Sequence, residues 1–219
     1  MTRNGNPAAL GNTTTGGNGA TSPLGALRLQ HVILIAGSAG ALVPLRRLVR
    51  ALGPNLDAAV VVTIHHPPDH PTLLVDILSR DTPLPVTIAI HGEFLRPAHV
   101  YVAPPGYHQL VVNNGRFELR PHPPGARRGR SADPLLLSAA RDFGPQAIGV
   151  VLSGANASGS AGLKAIRAAG GRALAQAPSE AAFPTMPMAA LQMGVDICAS
   201  AEALGRYLAD HCQREAPVR

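Results

Sequence analysis

Residues 31–42 read HVILIAGSAGAL. The run Val32-Ile33-Leu34-Ile35 has no polar alternation, which predicts a strand over residues 31–37 buried on both faces of a sheet. It ends in the small-residue turn Ala36-Gly37-Ser38-Ala39-Gly40, and a helix is expected from Leu42 onward. A strand running through a tight turn into a helix presents backbone N–H groups and one side chain, here Ser38, at the strand's carboxyl end. In open α/β sheets, ligands bind and chemistry happens at that edge. The turn differs from the G-x-S-x-G nucleophile elbow by Ala36 in place of the first glycine; small neighbours leave room for an exposed serine Oγ on a sharp bend. The same residues also suit a glycine-bearing turn of the phosphate-binding type. On this stretch alone both readings of Ser38 stay open.

Working outward, residues 42–52 place Leu42, Leu45, Leu48, Val49 and Leu52 at helical spacing with Arg46, Arg47 and Arg50 on the other face, before a Gly53-Pro54 stop. Residues 58–64, AAVVVTI, predict a second buried strand. A helix over 72–80 and strands over 86–90 and 100–103 follow. Asn114-Gly115 then joins 108–112 and 116–120 as a hairpin, because both turn positions need positive φ. Beyond a basic loop over 121–130 the alternation resumes: helix 134–143, strand 147–152, a small-residue turn 153–160, a helix to 169 and strand 172–176. A short helix within 183–193, strand 196–199 and helix 202–213 complete the domain. This pattern predicts an α/β fold: a doubly wound, mostly parallel sheet with helices on both faces and an inserted antiparallel β-hairpin.

Composition narrows the function classes. The 219 residues are 46% hydrophobic and 15% charged, as expected of one globular domain. Residues 1–27, rich in Gly, Asn, Thr and Ser, predict a disordered leader; 28–213 predict the domain and 214–219 a tail. The net charge of +6 comes almost wholly from arginine, Lys164 being the sole lysine. With no tryptophan and 3% aromatics there is no base-stacking platform, so nucleic acid is not the expected partner. Cys198 and Cys212 have neither metal-ligand spacing nor a disulfide framework, which suits a reducing cytoplasm. No apolar run approaches the ~20 residues that span a bilayer, and no signal peptide is expected.

The second strand weighs on the meaning of Ser38. A dinucleotide site expects a carboxylate at its end to hold ribose hydroxyls. Here the strand ends Thr63-Ile64-His65-His66. A histidine at the end of the neighbouring strand is a general-base candidate for Ser38. His65, His66 and His70 form at most a partial metal site, without a carboxylate cluster beside it.

At this point the chain resembles the catalytic domain of the chemotaxis protein-glutamate methylesterases (CheB). Ile35-Ala36-Gly37-Ser38-Ala39-Gly40 matches the family's I-G-x-S-x-G-like turn, and Ile64-His65-His66-Pro67-Pro68-Asp69-His70 its V-Q-H-x-x-P-D-H-like segment. Further matches are Tyr101-Val102-Ala103-Pro104-Pro105-Gly106-Tyr107-His108, Ser131-Ala132-Asp133-Pro134-Leu135, Ala175-Gln176-Ala177-Pro178 and Phe183-Pro184-Thr185-Met186-Pro187. The resemblance covers residues 32–208 and implies Ser38 as nucleophile, His65 as base, and the backbone N–H groups of Ala39 and Ala155 as oxyanion donors. It implies no cofactor and no metal. The expected substrate is a methylated chemoreceptor in the cytoplasm, reached without a preceding receiver domain and without membrane insertion.

One departure from the family pattern is chemical. Leu152-Ser153-Gly154-Ala155-Asn156-Ala157-Ser158-Gly159 stands where the family has an L-T-G-M-G-x-D-G-like turn, so Ser158 occupies the position of the triad acid and Ala155 that of the methionine. Any non-proline residue supplies the N–H. The acid, by contrast, fixes the histidine tautomer and stabilises its charged form. Three expectations follow: a slow esterase with Ser158 Oγ as a weak acceptor, a substitute carboxylate from Asp133 or Asp69, or an impaired module that binds a receptor or another acidic helical partner. Arg127-Arg128-Gly129-Arg130 reads either as a solvated loop or as a seat for Glu- and Gln-rich helices.

Overall fold

The apolar run of the opening stretch forms β1 (His31–Gly37), in which Val32 to Ala36 are fully buried. A computed structural model describes residues 29–64, 73–105, 108–121 and 132–213 of the chain. After β1 come α1 (Leu42–Arg50), β2 (Ala58–Ile64), α2 (Leu74–Ser79), β3 (Val86–Ile88) and β4 (His99–Val102). The hairpin strands β5 (His108–Asn113) and β6 (Arg116–Pro121) precede α3 (Asp133–Phe143) and β7 (Ala147–Val151). The chain then forms α4 (Ser160–Ala168), β8 (Arg172–Gln176), α5 (Thr185–Gln192), β9 (Ile197–Ala199) and α6 (Ala201–His211).

Seven strands make one sheet in the order β3-β4-β2-β1-β7-β8-β9, with every neighbouring pair parallel. Parallel strands need covered faces, and the period-2 alternation of β1 serves both. Val32, Leu34 and Ala36 join the core under α3, α4 and α5, while Ile33 and Ile35 join the core under α1, α2 and α6. The predicted doubly wound sheet is therefore the observed one. β5 and β6 form a separate antiparallel pair whose turn has Asn114 at φ 50° and Gly115 at φ 70°, as the Asn-Gly reading required. It stands on α3 through Val112 N–H to Ser138 Oγ (3.0 Å) and Gly115 N–H to Asp142 Oδ2 (2.8 Å).

Several boundaries shift from the sequence reading. α1 stops at Arg50 because Ala51 N–H turns back to Leu48 O, ahead of the Gly53-Pro54 signal. Within the described residues α2 begins at Leu74. β3 ends at Ile88, although Ala89 N–H still bonds Val102 O before the chain turns at Gly92. Arg46 and Arg50 do not simply face water: both reach the buried carboxylate of Asp81, at 2.6 Å each.

The topology decides where a site can form. From β1 the chain moves outward through β2 to β4 and β3, then returns to lay β7 on the other side of β1. β1 and β7 thus flank the point where the connections diverge, and the crevice beyond their carboxyl ends is the expected place for a ligand.

Candidate active site

Ser38 lies half-buried one residue beyond β1, at that crevice. Its N–H donates to Ser153 O (2.9 Å), two residues beyond β7, and its carbonyl accepts Ala41 N–H (3.1 Å) at the entry to α1. The second bond turns the Ser38 carbonyl inward. Because the peptide is trans, the Ala39 N–H then points the opposite way. The first turn of α1 carries no acidic residue to neutralise the positive end of its dipole, which favours an anion developing beside Ser38 and Ala39.

The turn after β7 is held against this elbow. A Cβ on Gly154 would stand 3.1 Å from Ser38 Cβ and 1.9 Å from Met186 Sδ, so only glycine lets the two turns and α5 meet. Ala155 follows directly and is exposed. Neither the Ala39 nor the Ala155 N–H donates to another described residue. Backbone N–H groups in turns that meet at a serine are the kind of donor that stabilises a tetrahedral oxyanion.

Ser158 has a different engagement. Its Oγ accepts the Ala132 N–H (2.7 Å) at the cap of α3, and its own N–H donates to Asn156 Oδ1 (2.9 Å). Asp133, weighed as a substitute acid, accepts Gly162 N–H on Oδ1 (2.8 Å) in the first turn of α4. The two helix starts therefore cap one another through Ser158 and Asp133. His65, His66, Asp69, His70, Tyr107 and Arg127 to Arg130 lie outside the described residues. Ile64, which precedes His65 in the chain, pairs with Gly37, which precedes Ser38. Among the described residues no group of three His, Cys, Asp or Glu side chains is placed to hold a metal ion. Cys198 is exposed, whereas Cys212 is a buried free thiol pushed up to about 12 by burial and, secondarily, by Asp57.

Sequence reasoning missed the residues that join the turns. Ser153 is fully buried and Gln176, at the end of β8, nearly so. Ser153 Oγ donates to Ala39 O (2.8 Å) and accepts Phe183 N–H (3.0 Å), and Ser153 N–H donates to Gln176 Oε1 (2.9 Å). A hydroxyl directly following the buried apolar pair Val151-Leu152 was the available signal, since a buried hydroxyl must find partners.

A family model for CheB methylesterase matches residues 33–208. The chain belongs to the CheB methylesterase family. Among curated relatives, the Geobacter sulfurreducens protein-glutamate methylesterase/protein-glutamine glutaminase 3 is 36% identical over 198 residues, which is 88% of this chain and 53% of that protein. The Myxococcus xanthus protein-glutamate methylesterase FrzG is 38% identical over 165 residues, 74% of this chain and 49% of the relative. The chain thus spans about half the length of the curated relatives it matches. The crystal structure of the Thermotoga maritima CheB methylesterase catalytic domain superposes with a TM-score of 0.76 at 26% identity, covering 83% of this chain and 98% of that one. The fold expected from the CheB resemblance is the fold observed.

Proposed function

We propose that this chain is a serine-hydrolase-type protein-glutamate methylesterase acting on glutamate γ-methyl esters of chemoreceptors in the cytoplasm. By the same acyl chemistry it deamidates glutamine side chains, as the names of its relatives suggest for those proteins. The observation that carries the reading is the Ser38–Ser153 bond, which joins the elbow turn directly to the turn that carries Ala155.

Ser38 Oγ attacks the ester carbonyl as His65 takes its proton, and the N–H groups of Ala39 and Ala155 hold the oxyanion. Collapse of the tetrahedral intermediate breaks the C–OMe bond, and His65 returns the proton to the departing methanol. Water, deprotonated by His65, then hydrolyses the acyl-Ser38 ester, leaving glutamate and a reprotonated serine. No step asks for a cofactor. Among the described residues no helix is long and apolar enough to cross a membrane.

The test is methanol release from methylated receptor by wild type and Ser38→Ala. Release that disappears in the variant supports the reading; equal, slow release by both overturns it. Saturable receptor binding without turnover would instead select the binding-module alternative raised by the serine at position 158.

A further inference from the structure

The polar groups of Ser153 are committed to three other segments of the chain. Its carbonyl accepts Ser38 N–H, its N–H donates to Gln176 Oε1, and its hydroxyl donates to Ala39 O while accepting Phe183 N–H. The residue is fully buried, so each bond lost would leave an unsatisfied group in the core. Gln176 is fixed in turn by Nε2 donating to Glu180 O (3.3 Å). The segment after Phe183 is drawn in by Gly154 N–H to Phe183 O (2.9 Å) and Met186 N–H to Gly154 O (3.0 Å).

We propose that Ser153, backed by Gln176, is the positioning residue of this site: its hydroxyl sets the angle of the elbow so that one acyl group is met by Ser38 Oγ at its carbon and by the Ala39 and Ala155 N–H groups at its oxygen. This rests on the esterase reading for its substrate, although not for its geometry. Peptide 37–38 is held by the Ser153 carbonyl and peptide 39–40 by the Ser153 hydroxyl. The peptide between them, which carries the Ala39 N–H, is therefore clamped on both sides by one residue. Gly154 and Ala155 follow Ser153 directly, so the same anchor sets the second donor. Ser153 touches no reacting atom; it acts through the backbone of Ser38 and Ala39.

The experiment compares wild type, Ser153→Ala, Ser153→Thr and Gln176→Met for folding by circular dichroism, for methanol release, and for the rate at which a fluorophosphonate labels Ser38. In the labelling step Ser38 Oγ gives up its proton to the base and bonds phosphorus as fluoride leaves, so it reports the elbow without the receptor. Ser153→Ala is expected to fold, to lose roughly 10- to 100-fold in kcat and in labelling rate, and to keep KM within about twofold, as misplacement of a reacting group does. Ser153→Thr, which keeps the hydroxyl, stays within about threefold of wild type, and Gln176→Met falls in the direction of Ser153→Ala. Should Ser153→Ala not fold, Gln176→Met carries the same comparison. A folded Ser153→Ala or Gln176→Met that labels at the wild-type rate overturns the proposal, as does a folded Ser153→Thr that loses as much as alanine. Labelling that depends on Ser153 in a protein that releases no methanol upholds the positioning role and overturns the substrate reading instead.

Discussion

Ser158 Oγ accepts the N–H of Ala132 at 2.7 Å, so the residue at the triad-acid position caps α3. A carboxylate there can accept the same N–H through a charge-assisted bond at the positive end of the helix, and it restores the acid that the family resemblance pairs with His65. Ser158→Asp is therefore expected to fold with an unchanged or higher Tm and to raise kcat for methanol release by about tenfold or more, the acid of such triads being worth up to about 10⁴. A fall in kcat with Tm preserved would show that another group orients His65.

Gly154 is the second point at which the site is sensitive. Its missing side chain lets Met186 Sδ and Ser38 Cβ close over the turn. Gly154→Ala should cost about 1–3 kcal/mol by overpacking around a methionine that is almost wholly buried. Shortening that side chain in a Gly154→Ala, Met186→Ala double variant should recover part of the loss, a coupling that a double-mutant cycle in urea would measure.

Asp81 receives Arg46 Nε and Nη2 and Arg50 Nε while its carboxylate is buried. The hydrogen bond from Arg46 leads in holding this carboxyl below its ordinary range of 3.8, against the opposing effect of burial. The stability this contributes is present above pH 3.8 and is lost as pH falls through the lowered value. Asp81→Asn should lower stability by about 1–3 kcal/mol at neutral pH and remove that low-pH component, as urea midpoints across pH would show.

At the amino-terminal start of β1, the His31 ring lies 5.1 Å from that of His211, which stacks on Tyr207 at 5.4 Å. Burial first, and then His211, hold His31 below 6.5; Arg172 acts in the same direction and Asp57 against it. Burial and Arg172 lower His211 likewise. The unfolded chain thus binds these protons before the folded one does, so stability is full above pH 6.5 and declines as pH falls below it. Chemical denaturation between pH 7.5 and 5 should show that slope, and His211→Phe, which keeps a ring beside Tyr207, should flatten it.

What could be read in the chain divides along physical lines. The bounds of β1, β2 and β8 were legible to the residue, because strands buried on both faces leave continuous apolar runs. Helix ends were less so: α1 stops where Ala51 N–H finds Leu48 O, a backbone event that no side chain announces. Ser38 was visible because an elbow is a local pattern. Ser153 and Gln176 were not, because each takes its meaning from partners on other strands. In the sequence Ser153 is one more small residue in a turn, and Gln176 one polar residue ending a strand.

The Ser153–Ala39 bond joins residues 114 apart, and Phe183 completes it from still further along. On a ribosome adding roughly 5–20 residues per second, the serine emerges on the order of ten seconds before the groups that aim it. A nascent or prematurely ended chain carries Ser38 without the contacts that hold its turn. On the proposed esterase reading, hydrolytic competence is thereby tied to completion of the domain.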